Sequence, residues 1–154
     1  MILDTQSVKN MTIATVGFDA GKLVNGHKHL LINDTTGHVL ASWVLPADAV
    51  DEAAAIAFWD EVAATHELLE AVQVVFVDSA FHGIFRQHLA QRYGIRVEKP
   101  ARVLVRRTNF CIHAWRWTVE RTFAWLDMNR RLSKEYNRTF NNLNTLIIIY
   151  LLQR

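Results

Sequence analysis

At 154 residues, 51% of them hydrophobic and 21% charged, the chain has the size and composition of one globular domain, long enough to bury a core. Its net charge of +2 and pI near 8.9 make it mildly basic and exclude a histone-like polycation, and the positive excess gathers from Lys99 onward. The single cysteine, Cys111, excludes an internal disulfide, suits a reducing compartment and reads as a small buried apolar residue.

No charged leader followed by an apolar stretch opens the chain, and its most apolar run, LIIIYLL at 146–152, is too short to span a bilayer. A soluble, cytoplasmic protein with no membrane partner is expected. Met1-Ile2-Leu3-Asp4 reads as a very short first strand. HLLIN at 29–33 and the alternating GHVLASWVL at 37–45 flank Asp34-Thr35-Thr36-Gly37, a hairpin signal. Val39, Ala41, Trp43 and Leu45 should share one face of the second of these strands. Pro46-Ala47-Asp48 leads into an alanine-rich run to about Glu70, a helix with Asp48 as N-cap and Ile56, Trp59 and Ala63 as its packing face.

VQVVFVDSAFHG at 72–83 opens as a continuous β-branched and aromatic run that stops at Asp78, the pattern of a buried central strand. A helix to about Tyr93 follows, then a short strand closed by Pro100, then RVLVRRT at 102–108 as a basic connector. Val119, Phe123 and Leu126 recur at helical spacing within 114–132, and a last apolar helix is expected from about Asn141 to Leu152. There are no internal repeats and no low-complexity tracts. The order, strand, hairpin, helix, strand, helix, strand, helix, helix, describes an α/β fold in which helices flank a mixed sheet.

Three carboxylates stand out by position. Asp4 ends an apolar tripeptide, where a solvated terminal acid is the plain alternative. Asp78 closes the buried strand, where α/β sheets place ligands, the alternative being a helix N-cap. Glu120 follows Arg116 by four residues and could be a surface ion pair. However, Trp117, Val119, Phe123, Trp125 and Leu126 leave little of that helix polar, so Glu120 should be half-buried, and a buried acid needs a cation or a metal.

DTQSVK at 4–9, GFDAGKLVNGHKHLLINDTTG at 17–37, VFVDSAFHG at 75–83 and RWTVERTFAWLDMNRRLSKEY at 116–136 together resemble the Asp-Asp-Glu transposases of bacterial insertion sequences, in the groups numbered four and five. The last block is the most specific: an arginine, three residues, then Glu-Arg-Thr-Phe-Ala-Trp-Leu. The resemblance implies a ribonuclease H-like fold, with the first acid on the first strand, the second at the end of the fourth and the glutamate on a later helix. It implies a metal-dependent cut-and-join reaction on DNA ends, with Asp4, Asp78 and Glu120 as the catalytic, metal-binding acids. Hard oxygen ligands suit Mg²⁺ or Mn²⁺, and two ions about 3.5–4 Å apart would activate the attacking water or 3′-hydroxyl without a covalent protein intermediate.

Phosphate contacts are expected from Arg116, Arg121, Arg130, Arg131 and Lys134 around the glutamate, and from Lys9, Lys22 and Lys28 nearer the first acid; such contacts position DNA and carry little sequence information. His27, His29, His82 and His113 have neither a cysteine partner nor compact spacing, and read as hairpin, loop and interface residues rather than zinc ligands. The partners implied are double-stranded DNA at transposon ends and targets, and a second copy, since two ends must meet.

Three departures from the family pattern matter. His113 stands at the place of a tyrosine, and Asp127 stands at the place of a lysine that contacts the transposon end. Only Met1, Ile2 and Leu3 precede Asp4, where the family carries an N-terminal DNA-binding region. The sequence therefore reads as one catalytic domain over 1–154, either the downstream product of an element read in two frames, with an upstream-frame partner, or a truncated copy. A non-catalytic DNA-binding fragment, or another ribonuclease H-like nuclease, are the competing readings.

Overall fold

The computed structural model describes residues 1–10, 16–65, 67–81, 83–99, 102–104, 111–113, 116–133 and 140–152. Six segments form one sheet: β1 (Ile2–Lys9), β2 (Gly17–Asp19), β3 (Val24–Asn33), β4 (Val39–Pro46), β5 (Val74–Phe76) and β6 (Arg96–Glu98). The order is β2-β3-β1-β5-β6, and β4 pairs with β3 along the edge away from β1. Pairing among β1, β2, β3 and β4 is antiparallel, whereas β1–β5 and β5–β6 are parallel. Strand β3 is buried continuously from Gly26 to Asn33 because both its edges are paired and both its faces covered.

The two-residue alternation of these strands divides the core. On one face Leu3, Leu30, Ile32, Val75 and Val77 meet Ala55, Phe58 and Trp59 of α1 (Asp51–Thr65), and Phe85 and Leu89 of α2 (Ile84–Tyr93). Trp43 stacks on Phe58 at 5.6 Å, and Trp59 and Phe81 both meet Phe85 edge-on. On the other face Ile2, Leu31 and Val44 meet Val119, Phe123 and Leu126 of α3 (Arg116–Met128), Leu132 of α4 (Arg130–Ser133) and Ile147 of α5 (Phe140–Leu152). Gly94, at φ +68°, closes α2 through bonds from Gly94 N to Ala90 O and Ile95 N to Leu89 O, turning the chain into β6. A mixed sheet covered on both faces by helices is the ribonuclease H-like arrangement expected. Among the described residues no helix is long and apolar enough to cross a membrane.

Local expectations changed in several places, among them the helix expected to reach about Glu70, which ends at Thr65. Strand β1 is eight residues long rather than four, because Thr5 to Lys9 continue the ladder with β3 as far as Gly26. Asp48 is not the cap of α1: the helix starts at Asp51, and Ala54 N donates to Val50 O. Val39 parts company with Ala41, Trp43 and Leu45, because a register shift at Ile32/Asn33 turns it onto the α3 face. The basic connector contains a strand, β7 (Arg102–Leu104), paired antiparallel with β8 (Cys111–His113), and the Ala114–Leu132 helix breaks at Asn129, whose carbonyl accepts from Leu132 N and Ser133 N.

Gly26 is where β1, β2 and β3 meet, paired with both Lys9 and Gly17. A Cβ there would stand 1.9 Å from Val8 O and 2.7 Å from Asn10 N, both backbone atoms with no rotamer to escape into. Gly26→Ala is expected to cost about 3 kcal/mol, the upper end of ordinary overpacking, measured as a lowered denaturant midpoint.

Candidate active site

The strand that carries Asp4 and the strand that ends before Asp78 are parallel neighbours. Ile2 pairs with Phe76, and Phe76 N donates to Met1 O at 2.8 Å. Asp4 stands two residues beyond Ile2 within β1, and Asp78 two residues beyond Phe76, just past the end of β5. Asp4 shares the face of Ile2, which is the face α3 covers. Thr5 N donates to Asp4 Oδ1 at 2.8 Å, and Asp78 is exposed beyond the strand end.

The chain after Asp78 is held by its own backbone and by α1. Phe81 N donates to Asp78 O, closing a single tight turn over Ser79–Phe81, and Gly83 N donates to Glu52 Oε1 at 2.6 Å. Helix α2 begins only at Ile84, and Glu52 also accepts from Phe85 N at 3.4 Å, so Glu52 serves its first turn.

Glu120 rides on α3. Val119, Phe123 and Leu126 take the stripe of the helix that faces the sheet, which puts Glu120 on its flank, exposed rather than half-buried as the surrounding apolar residues suggested. Trp117 is likewise 51% exposed, whereas Phe123 is core. Two polar contacts lay α3 along β1 and β3: Asn33 Nδ2 donates to Thr122 Oγ1 at 3.0 Å, and Gln6 Nε2 donates to Asp127 Oδ2 at 3.0 Å. Gln6 is the next residue after Asp4 on that face, so Asp127 sits beside the strand of the first acid, where its carboxylate would repel phosphate.

Among the described residues no group of three or more histidine, cysteine, aspartate or glutamate side chains is arranged to hold a metal ion. The described residues thus do not present Asp4, Asp78 and Glu120 as one ready-made metal-binding group. Three carboxylates converging without a cation would repel one another. The donor chemistry still fits a hard divalent ion, because Mg²⁺ takes only one or two protein carboxylates and keeps water or phosphate at its other positions.

The cations are dispersed. Lys9, Lys22 and Arg130 are exposed. Lys28 is not: only 4% exposed, its ammonium donates to the Asp51 carboxylate and to Ala49 O, which ties β3 to the start of α1. Arg121 is enclosed by Trp117 and Trp125. The side chains of Arg116 and Arg131, and Lys134 with His82, lie outside the described residues. His27 and His29 are buried in β3, with Asn10 Nδ2 at 3.1 Å from His27 Nδ1.

The hairpin turn that faces α3 is organised by Asp34. Its carboxylate accepts from Thr36 N, Gly37 N and His38 N, and from Thr36 Oγ1. Burial works to raise the Asp34 pKa, yet the hydrogen bonds from Thr36 and His38 outweigh it and hold the group at about 2. Because the folded-state pKa is depressed, these bonds add stability above about pH 4 that is lost as the pH falls through about 2, worth roughly 1 kcal/mol once solvent screening is discounted. Asp34→Ala should therefore lower stability by that amount at neutral pH and by progressively less as the pH falls through about 2, read from urea midpoints across a pH series.

Sequence reasoning missed one polar cluster. On the opposite face of the sheet, Asp60 of α1 accepts from Tyr93 O–H at 2.7 Å and meets His88 Nε2 at 2.8 Å and Arg92 at 3.3 Å. Burial pushes the Asp60 pKa up and the bonds from His88 and Tyr93 more than reverse it; burial and Asp60 together raise that of Tyr93. The cluster locks α1 to α2, and only the i, i+4 and i+5 spacing of His88, Arg92 and Tyr93 hinted at it.

A mixed sheet flanked by helices, with Asp4 on β1, Asp78 just past the end of its parallel neighbour β5 and Glu120 on α3, makes this an α/β domain of the ribonuclease H-like class. The family described as transposase DDE domain matches residues 1–152, and the chain belongs to it. That membership places it among transposases, a family whose work is DNA transposition, whose partner is DNA and which generally uses divalent metal ions. No match was found among curated proteins.

Proposed function

We propose that this chain is the catalytic domain, over 1–154, of an insertion-sequence transposase of groups four and five, cleaving DNA at element ends and joining the 3′-hydroxyl to a target. What supports this reading is the parallel pairing of β1, which carries Asp4, with β5, which leads to Asp78, within a chain that matches the family along almost its whole length. Asp4 and Asp78 would hold Mg²⁺ or Mn²⁺, with Glu120 completing the set for two ions. When bound, the ions would polarise the scissile phosphate and activate the attacking oxygen.

The chain's own cations would do the rest. Lys9, Lys22 and Arg130, with Arg116, Arg131 and Lys134, would contact phosphates and hold the duplex against the acid face. Lys28, committed to Asp51, is left out of that set. A dimer assembled on paired ends follows from the need to bring two ends together.

The contact of Asp127 with Gln6 favours a second reading, a DNA-binding remnant without catalysis, because an acid stands near the first aspartate where the family has a lysine. One experiment separates the two. Duplexes ending in the element's inverted repeats are expected to be nicked at their termini with Mg²⁺ or Mn²⁺ and not with EDTA. Binding that weakens steeply between 50 and 200 mM salt, on the order of what several phosphate contacts give, with no cleavage in any metal, would favour the remnant. Cleavage of RNA–DNA hybrids but not of repeat ends would assign the chain to another ribonuclease H-like nuclease.

A further inference from the structure

Arg121, the residue after Glu120, does not reach outward as a phosphate contact would. Its guanidinium lies 4.7 Å from the ring centre of Trp117 and 4.7 Å from that of Trp125, four residues before and four after it on α3, so two indoles enclose one cation. Its Nη2 donates to Thr36 O at 3.4 Å, and its Nε is buried. The turn is shaped to receive it. Gly37 has φ +98°, and a Cβ there would stand 2.1 Å from Arg121 Nη2 and 3.8 Å from Thr118 Cβ. The glycine thus leaves room for the guanidinium, while Asp34 gathers the turn amides and leaves the Thr36 carbonyl free to face α3.

We propose that Arg121 is a positioning residue: clamped between Trp117 and Trp125 and bonded to the hairpin turn, it sets the rotation of the first turns of α3 and so where Glu120 stands relative to β1. This rests on the reading of Glu120 as the third carboxylate. The sheet-facing stripe of Val119, Phe123 and Leu126 fixes which side of α3 is buried, but rows of apolar contacts tolerate small rotations. The Asn33–Thr122 bond and the Arg121–Thr36 bond remove that freedom from two directions. A flat, forked cation can stack on two rings while donating at its edge; a lysine ammonium cannot.

Three measurements on the whole chain test this: hydrogen–deuterium exchange, Mn²⁺ binding followed by electron paramagnetic resonance, and DNA affinity over a salt series. In Arg121→Ala, and equally in Gly37→Ala, the 117–122 amides are expected to exchange about tenfold faster while the α1 amides do not change. Half-saturation by Mn²⁺ should rise several-fold in both, with DNA affinity and its salt slope at wild-type values. Arg121→Lys should behave like Arg121→Ala. A salt slope reduced by about one in Arg121→Ala and restored in Arg121→Lys, with exchange unchanged, makes Arg121 a phosphate contact and overturns the proposal. Unchanged exchange in both variants overturns it too. If the wild type binds no Mn²⁺ while exchange responds as described, the metal reading of the acids fails and the clamp on α3 stands.

Discussion

Asp78→Asn is expected to abolish metal-dependent nicking of repeat-ended DNA while leaving the fold intact. The loss should exceed the roughly 10–100-fold that removing a metal ligand's outer-shell partner typically costs, because a ligand itself would be gone. Stability should stay within about 0.5 kcal/mol, since the side chain is exposed past the end of β5 and its replacement opens no cavity. Glu120→Gln should behave alike, for the same reason of exposure. The comparison is made by cleavage assays in Mg²⁺ and Mn²⁺ beside thermal unfolding of each variant. Full activity in either would remove that acid from the proposed set.

Trp59→Ala should have the largest effect on stability, a loss of about 3–5 kcal/mol. The ring is fully buried between the sheet and α2, edge-on to Phe85 at 6.4 Å, and its removal would leave a void that Phe81 and Phe85 cannot fill without leaving their own packing. Trp59→Phe should lose much less than that. The indole N–H is buried and finds no acceptor among the described residues, so exchanging indole for benzyl removes an unsatisfied donor along with the lost volume. Chemical denaturation of the two variants, each compared with wild type, gives the difference directly. Equal losses would mean that the ring volume kept by phenylalanine does not offset the cost, and would overturn the expectation.

Much of the architecture was legible because it depends on local pattern. The run VQVVFVD carries no polar residue between Val74 and Val77, which only a strand covered on both faces tolerates, and β5 is that strand. The turn at Asp34 to Gly37 announced itself by an acid able to cap three amides and a glycine able to take positive φ. Helix α3 was legible from Val119, Phe123 and Leu126 alone.

The family blocks also pointed to the three acids, two of which lie on or just beyond the paired strands β1 and β5. What the linear chain could not express was direction and company. Glu120 looked half-buried because its neighbours in sequence are large and apolar, but Trp117 and Trp125 turn aside to hold Arg121 and leave the glutamate exposed. Lys28 looked like a phosphate contact until Asp51, far along the chain, was found to take its charge.

Hydrophobic periodicity and turn residues act over a few positions, so the main strands and helices and the chemistry of the candidate acids could be read along the chain, whereas β2, β7 and β8 could not. Which charges are spent inside the protein and which face outward depends on packing between distant segments. An ion pair or a cation between two rings depends on side chains that meet across strands and helices, and no local pattern records which of them will be neighbours.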